Sequence, residues 1–398
     1  MIKKAIYAAA GIVFAISLFL QLPYLSRISF AATESAGEAV LEVNSGRLLF
    51  ARNPEKKLPM ASTTKILTAI LVIEEDDLDE VVRIPEEAVG VEGSSIYLVA
   101  GETMTRKDLL YGLMLRSGND CAESLAILHS GSIEKFADCM NKKAVQIGAQ
   151  DSHFVNPHGL PAPQHYTTAK DLAMIAAYAL RNDIFSEIVA CKSYTVPDGG
   201  CGYPRLLQNK NKMLYSYSDA DGVKTGYTKE AGRCLVTSAT RSGTRLVSVV
   251  LNSPDMYNRS AEILNQCFSE YKVFKLFDHE NYSVELNTDL PWKKCRCACK
   301  DDFYYPLTEA ECNEISSEYC LPEKVALPVE AGEEVGNLKV YLKNQLLFSQ
   351  KIVSIENVEK NFLDILQEIA KKGTFQDICG STNFWRSAAL QADEAVTG

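Results

Sequence analysis

The stretch from Lys65 to Ile73 (Lys-Ile-Leu-Thr-Ala-Ile-Leu-Val-Ile) constrains this chain more than any other. A helix that is apolar on every side cannot lie on a surface; it has to run through a core. The expected helix spans Ser62 to Glu75, so the rest of the chain must wall it in. Before it, Ala39–Val43 and Leu48–Ala51 flank Asn44-Ser45-Gly46 and read as a β-hairpin. After it, helical spacing recurs in Arg106–Leu115, Cys121–His129, Ser132–Ile147, Thr167–Arg181 and Ile184–Ala190. Gly222–Thr228, Arg233–Thr240 and Arg245–Leu251 are rich in Val, Thr and Leu and are separated by glycine-containing turns, so they read as antiparallel strands. Arg259–Tyr271 is again helical. Strands open and close this unit and helices fill its middle. The expected class is α+β: an antiparallel sheet flanked by helices, with a helical lobe.

The ends of the chain read differently. Met1-Ile2-Lys3-Lys4, the apolar stretch Ala5–Leu25 and the small-residue site Ser29-Phe30-Ala31-Ala32 have the order of a secretory signal peptide over residues 1–32. A retained membrane anchor is the alternative, because the stretch is nearly long enough to span. Both place the body outside the cytoplasm, secreted or held at the outer face of the cell membrane. Residues 33–277 make the main unit. Composition shifts near Asp278, and short alternating runs at Asn337–Leu342 and Leu346–Ile352 indicate a small all-β domain over 278–355. Residues 356–372 place Val358, Phe362, Ile365, Leu366 and Ile369 on one stripe. That helix either attaches to a membrane surface or packs on the β domain. The polar, Ser/Ala-rich segment 373–398 reads as a disordered tail.

The net charge of −10, with no Lys/Arg-rich run, argues against a nucleic-acid partner. Five histidines, with no His-Glu-x-x-His and no paired Cys-x-x-Cys, give no reason to expect a metal or another cofactor.

Three short elements carry chemistry. Ser-x-x-Lys occurs at Ser62–Lys65, Ser132–Lys135 and Ser269–Lys272, against about two expected by chance. Only Ser62 opens the buried helix. Ser117-Gly118-Asn119 falls in a turn between helices, where such residues are ordinary. Lys224-Thr225-Gly226 lies on a strand and occurs once, against about 0.1 by chance. A serine hydroxyl needs a base to become a nucleophile. Lys65, one turn on, shares the face of Ser62, and burial beside Lys224 would depress its pKa enough to act as that base. Backbone N–H groups of Ser62 and Tyr227 are candidates for an oxyanion hole. Ser117 can relay a proton to the leaving nitrogen, Asn119 can hold a substrate amide, and Lys224 with Thr225 can attract a carboxylate.

Ser-x-x-Lys, Ser-x-Asn and Lys-Thr-Gly in this order resemble the signature of the penicillin-interacting serine transferases and hydrolases. Within that group the chain resembles the serine-type D-alanyl-D-alanine carboxypeptidases, the low-molecular-weight penicillin-binding proteins, from about Ala36 to Val353. Ala61-Ser62-Thr63-Thr64-Lys65, Phe154-Val155-Asn156-Pro157-His158-Gly159-Leu160, Thr167–Ala173, Asp221–Gly226 and Leu327–Gly336 carry the resemblance. It implies a β-lactamase/transpeptidase-like fold and removal of the terminal D-alanine from peptidoglycan stem peptides through a Ser62 acyl-enzyme, with β-lactams as inhibitors. The implied catalytic residues are Ser62, Lys65 and Ser117. The implied substrate-binding residues are Asn119, Lys224, Thr225, Gly226, Tyr227 and Arg259. His158 reads as structural.

Two other readings stand beside this one. A β-lactamase is the first, although no Glu-x-x-Leu-Asn-like segment lies between Asn119 and Lys224. The second is a non-catalytic cell-wall-binding protein on the same fold. One departure from the family is Cys295, Cys297, Cys299, Cys312 and Cys320, which read as disulfides or free thiols. Metal binding is the weaker reading for them, because Cys-x-Cys-x-Cys lacks the usual zinc spacing.

Overall fold

Five antiparallel strands define the first unit: β1 (Gly37–Glu42), β2 (Leu48–Arg52), β3 (Ala220–Thr228), β4 (Gly232–Arg241) and β5 (Thr244–Leu251), in the order β2-β1-β5-β4-β3. The register aligns Lys224, Val236, Val249 and Ala39 in one row and Thr225, Leu235, Val250 and Glu38 in the next. Successive side chains point to opposite faces, so the first row faces the main core and the second the opposite layer. Because β3 is an edge strand, one row of its backbone groups has no strand neighbour. The structure, a computed structural model, describes residues 35–279 and 281–371. The expected signal segment and the tail lie outside them.

Helix α1 (Lys65–Glu75) runs through the core with Lys65 to Ile73 all buried, as its all-round apolarity requires. Ser62 belongs to a 3₁₀ turn, Ala61–Thr64, that leads into α1 and is not part of the α-helix itself. Thr63 Oγ1 donates to Met60 O (2.7 Å) and Thr64 Oγ1 to Ala61 O (2.9 Å), which tightens this turn.

The helical lobe contains α2 (Arg106–Tyr111), α3 (Asn119–Ser130) and α4 (Ile133–Ile147), followed by α5 (Ala169–Leu180), α6 (Asp183–Ala190) and short α7 (Met213–Ser216). A Thr105/Asp108 capping box starts α2, and Ser132, Thr168 and Asn182 cap α4, α5 and α6. Capping accounts for Ser132, and Ser269 donates to Gln266 O, so neither of these Ser-x-x-Lys serines is a competitor to Ser62. The expected helix 106–115 ends as an α-helix at Tyr111 and widens into a π turn, Gly112–Arg116. Helix α8 (Met256–Glu270) packs on the outer face of the sheet and begins three residues before Arg259, its first turn held by Asp255 against Asn258 Nδ2.

A second unit begins at Val273, five residues earlier than composition indicated, because Lys272–Phe277 is already a strand paired with Phe303–Leu307. Its main sheet, β6 (Val284–Asn287), β7 (Lys294–Cys299), β8 (Ile315–Cys320), β9 (Glu334–Leu342) and β10 (Gln345–Ser354), has the order β6-β7-β10-β9-β8. Cys295, Cys297 and Cys299 occupy alternate positions of β7 and all point into this unit's core as thiols. Helix α9 (Phe362–Lys371) starts six residues later than expected. The segment before it is held extended: Val358 bridges Val329, and the Glu356 carboxylate pairs with Arg296. Among the described residues no helix is long and apolar enough to cross a membrane.

Candidate active site

Ala61, immediately before the candidate nucleophile, has φ 50°, a left-handed conformation that costs a side-chain-bearing residue about 1–3 kcal/mol. Its carbonyl points at Gly159 (φ 89°), where an added Cβ would fall 1.9 Å from Ala61 O. On the other side, β3 passes so close that a Cβ on Gly226 would lie 3.0 Å from Ser62 N and 3.1 Å from Met60 O. Two glycines thus let one turn be gripped between a loop and a strand. Ser62 is half-buried while Ala61, Thr63, Thr64 and Lys65 are buried, so it is the member of the turn that meets solvent.

Lys65 is fully buried, and its Nζ lies 3.2 Å from Ser62 Oγ, 2.6 Å from Asn119 Oδ1 and 2.8 Å from His158 O. Burial, reinforced by the Lys224 ammonium, holds its pKa well below the usual lysine range. The neutral amine has two N–H donors and one lone pair. Asn119 Oδ1 and the His158 carbonyl can only accept, so they take the two donors and leave the lone pair for the Ser62 hydroxyl proton. The Asn119 amide is oriented for this because its Nδ2 donates to Glu92 O at 2.5 Å.

Lys224 is buried on β3, donates to Thr225 O at 2.9 Å, and is pushed down to about 7 by burial and then by Lys210. Ser117 is buried at φ 65°, between the π turn and α3; its N–H and that of Gly118 both close on Gly112 O. π turns and left-handed non-glycine residues recur at functional sites. Tyr227, next along β3 after Gly226, is 65% exposed at the mouth of the site.

Of the nine expected site residues, Ser62, Lys65 and Asn119 are joined by hydrogen bonds, Gly226 packs against the Ser62 turn, and Lys224 lies near enough to act on Lys65. Ser117 precedes Asn119 in its turn, and Thr225 and Tyr227 flank Gly226 on β3. The structure sets Arg259 apart: its Nε and Nη2 donate to both Glu38 oxygens at 2.8 Å and its Nη1 to Glu262 at 2.8 Å, on the outer face of β1, three strands from β3. Its fork is filled by a fully buried carboxylate, and its hydrogen bonds go to Glu38 and Glu262, not to Lys224 or Thr225.

Sequence reasoning missed three supports. Asp120 accepts from Ser95 Oγ (2.5 Å), Ile96 N (3.1 Å) and Leu98 N (3.1 Å), pinning the 95–98 loop beside Asn119. Asn156 Oδ1 accepts from Gly159 N (2.7 Å) and shapes the turn whose His158 carbonyl receives Lys65; the His158 ring instead contacts Glu123 (3.2 Å), in keeping with a structural role. Lys210 Nζ donates to Ser94 Oγ (3.1 Å) and adds a third lysine whose charge depresses both Lys65 and Lys224. A solitary lysine or aspartate carries no motif that would reveal such a role.

A serine hydroxyl 3.2 Å from a desolvated lysine amine, set against the edge strand of an antiparallel sheet, is the arrangement that serine acyl transfer requires. The chain belongs to the D-alanyl-D-alanine carboxypeptidase family: residues 27–255 match that family, and residues 292–360 match the penicillin-binding protein 5 C-terminal domain. It is similar to D-alanyl-D-alanine carboxypeptidase DacF of Bacillus subtilis, 30% identical over 84% of this chain and 88% of that one. D-alanyl-D-alanine carboxypeptidase DacB2 of Mycobacterium tuberculosis is 34% identical over 58% and 81%. Among solved structures, penicillin binding protein 5 from Haemophilus influenzae superposes with a TM-score of 0.69 at 26% identity, covering 82% of this chain and 98% of that one. The chain is accordingly a serine-type carboxypeptidase hydrolase of the low-molecular-weight penicillin-binding class.

Proposed function

We propose that Ser62 is acylated by the penultimate D-alanine of a peptidoglycan stem peptide, releasing the terminal D-alanine. Lys65 takes the Ser62 proton as Oγ attacks the scissile carbonyl. The developing oxyanion meets the N–H groups of Ser62 and Tyr227, which the close approach at Gly226 brings together. Ser117 passes a proton to the leaving nitrogen, while Lys224 and Thr225 hold the free carboxylate and Asn119 the substrate amide. Water, activated by Lys65, then hydrolyses the ester. The observation that carries this reading is the buried Lys65 Nζ, 3.2 Å from Ser62 Oγ, with two further partners, Asn119 Oδ1 and His158 O, that can only accept. Arg259 has no part in it, since Glu38 already fills its guanidinium. The test compares D-alanine release from diacetyl-Lys-D-Ala-D-Ala with nitrocefin turnover. Release without turnover supports the proposal, and turnover without release rejects it.

We further propose action at the outer face of the cell membrane, with α9 as the attachment. Asp364 on one side of α9 accepts from Trp292 Nε1 (2.7 Å) and pairs with Lys293. Phe362 and Leu363 are each 66% exposed, and Ile365 and Leu366 are also open. The polar side docks on the β domain and leaves apolar side chains for a lipid surface.

A further inference from the structure

We infer that the groove beside residues 57–59 is a subsite for the third residue from the C-terminus of the peptide, and that Glu230 there recognises an ammonium at the end of a long aliphatic side chain. This rests on the assignment of Ser62 and β3 above, and it follows from direction. With the terminal carboxylate at Lys224 and Thr225 and the scissile carbonyl at the Tyr227 N–H, the peptide runs along the free edge of β3 in the sense Lys224 to Tyr227. From Lys224 to Tyr227, three steps along the strand, is about 10 Å. One more substrate residue adds about 3.8 Å between Cα atoms. The third residue therefore lies beside Thr228 and the turn that follows, where β3 passes into β4.

That turn forms one side of a groove of about 470 Å³. Lys57, Pro59, Pro161, Pro163, Tyr166 and Glu230 line it. The prolines and the tyrosine ring offer apolar surface on which a four-carbon arm can lie with its charged end in water. Glu230 is exposed, and no ion pair holds it among the described residues. Lys57 is exposed and pairs with Asp151 at 3.4 Å, not with Glu230, and lies 5.0 Å from the centre of the Tyr166 ring. The wall is tied to the catalytic turn: His165 Nε2 is 2.9 Å from Thr64 Oγ1, and its Nδ1 accepts from Val155 N at 3.1 Å. Lysine and diaminopimelate both present the required ammonium. Diaminopimelate adds a carboxylate that would meet Lys57.

The test measures kcat/KM for D-alanine release, at low salt, from three peptides ending in D-Ala-D-Ala. Their third residues are Nα-acetyl-lysine, Nα,Nε-diacetyl-lysine and Nα-acetyl-diaminopimelate. The wild-type enzyme should prefer the free amine over the acetylated one by about fivefold, the factor equivalent to about 1 kcal/mol. The preference should fall to about one in Glu230→Gln and invert in Glu230→Lys, with unchanged Tm in both. Lys57→Met should lower the diaminopimelate rate relative to the lysine rate. An equal preference in wild type and Glu230→Gln overturns the subsite while leaving the Ser62 chemistry intact. Loss of release from all three peptides, together with loss of penicillin labelling, overturns the reading of Ser62 and this inference with it.

Discussion

Lys65 Nζ stands 3.2 Å from Ser62 Oγ, and that separation is set by more than helical spacing. The serine lies in a 3₁₀ turn and the lysine is the first residue of the α-helix behind it. A 3₁₀ turn places residues three apart almost in line, which brings the two polar groups together. Asn119 and His158 then fix the direction of the amine. Backbone geometry supplies proximity and two acceptors supply orientation.

Ser62→Ala should abolish covalent labelling by fluorescent penicillin, with a loss of at least about 10³-fold. The side chain is half-buried and Lys65 keeps its other two partners, so Tm should change little. Undiminished labelling would show that another residue is the nucleophile.

The acylation rate should depend on pH through both lysines. Lys65 acts as a base only when neutral, so kcat/KM rises as pH climbs through its depressed pKa. Lys224 attracts the carboxylate only when protonated, so kcat/KM falls above about 7 in the free enzyme. Bound carboxylate retains that proton, which moves the alkaline limb of kcat upward. Asn119→Asp sets a carboxylate 2.6 Å from Lys65 in place of an amide, holding the lysine charged and shifting the rising limb to higher pH. A rising limb unmoved by Asn119→Asp would mean that Lys65 is not the base.

The almost wholly apolar run after Lys65, Ile66–Ile73, announced a buried helix, and the three short motifs announced the cleft, because each depends on local order along the chain. What stayed hidden depends on long-range contacts. The 3₁₀ start of the Ser62 turn follows from Gly159 and Gly226 closing on it from distant segments. Arg259 sits in a sequence context that resembles the family's arginine, but its contacts are decided by Glu38, 221 residues away. The late start of α9 follows from a bridge between Val358 and Val329 that no helical periodicity signals.

Gly159→Ala should damage the site without touching any catalytic group. A methyl there would overlap Ala61 O at 1.9 Å and force a side chain into φ 89°. The expected loss is about 2–4 kcal/mol of stability, with slowed penicillin acylation, because the displaced Ala61 carries Ser62 with it. Thermal melting and stopped-flow acylation check this. Unchanged values in both would show that the loop moves aside freely.

Ending the chain before Phe362 should move the enzyme from the membrane fraction to the soluble fraction once the signal segment is removed. The cut lies after the Val358 bridge and the Glu356–Arg296 pair, so the β domain keeps both. Replacing Phe362 and Leu363 by Ser should have the same effect through loss of exposed apolar area alone. Equal fractionation of full-length and truncated protein would exclude α9 as the attachment.

The fate of the acyl-enzyme separates peptide from β-lactam. Both present a carboxylate beside a scissile amide, so both should acylate Ser62. When the peptide reacts, D-alanine leaves and opens a path for water, with Lys65 again serving as base. When a β-lactam reacts, the ring opens but its nitrogen stays tethered and fills that path. Two acids that follow Ser117 are committed elsewhere: Asp120 holds the 95–98 loop, and Glu123 contacts the His158 ring at 3.2 Å. Neither is placed to deliver a second water. The peptidyl-enzyme should therefore turn over while the penicilloyl-enzyme persists. Intact-mass spectrometry after rapid mixing reads the adduct directly. A penicilloyl adduct lost as fast as peptide is hydrolysed would make this site a β-lactamase.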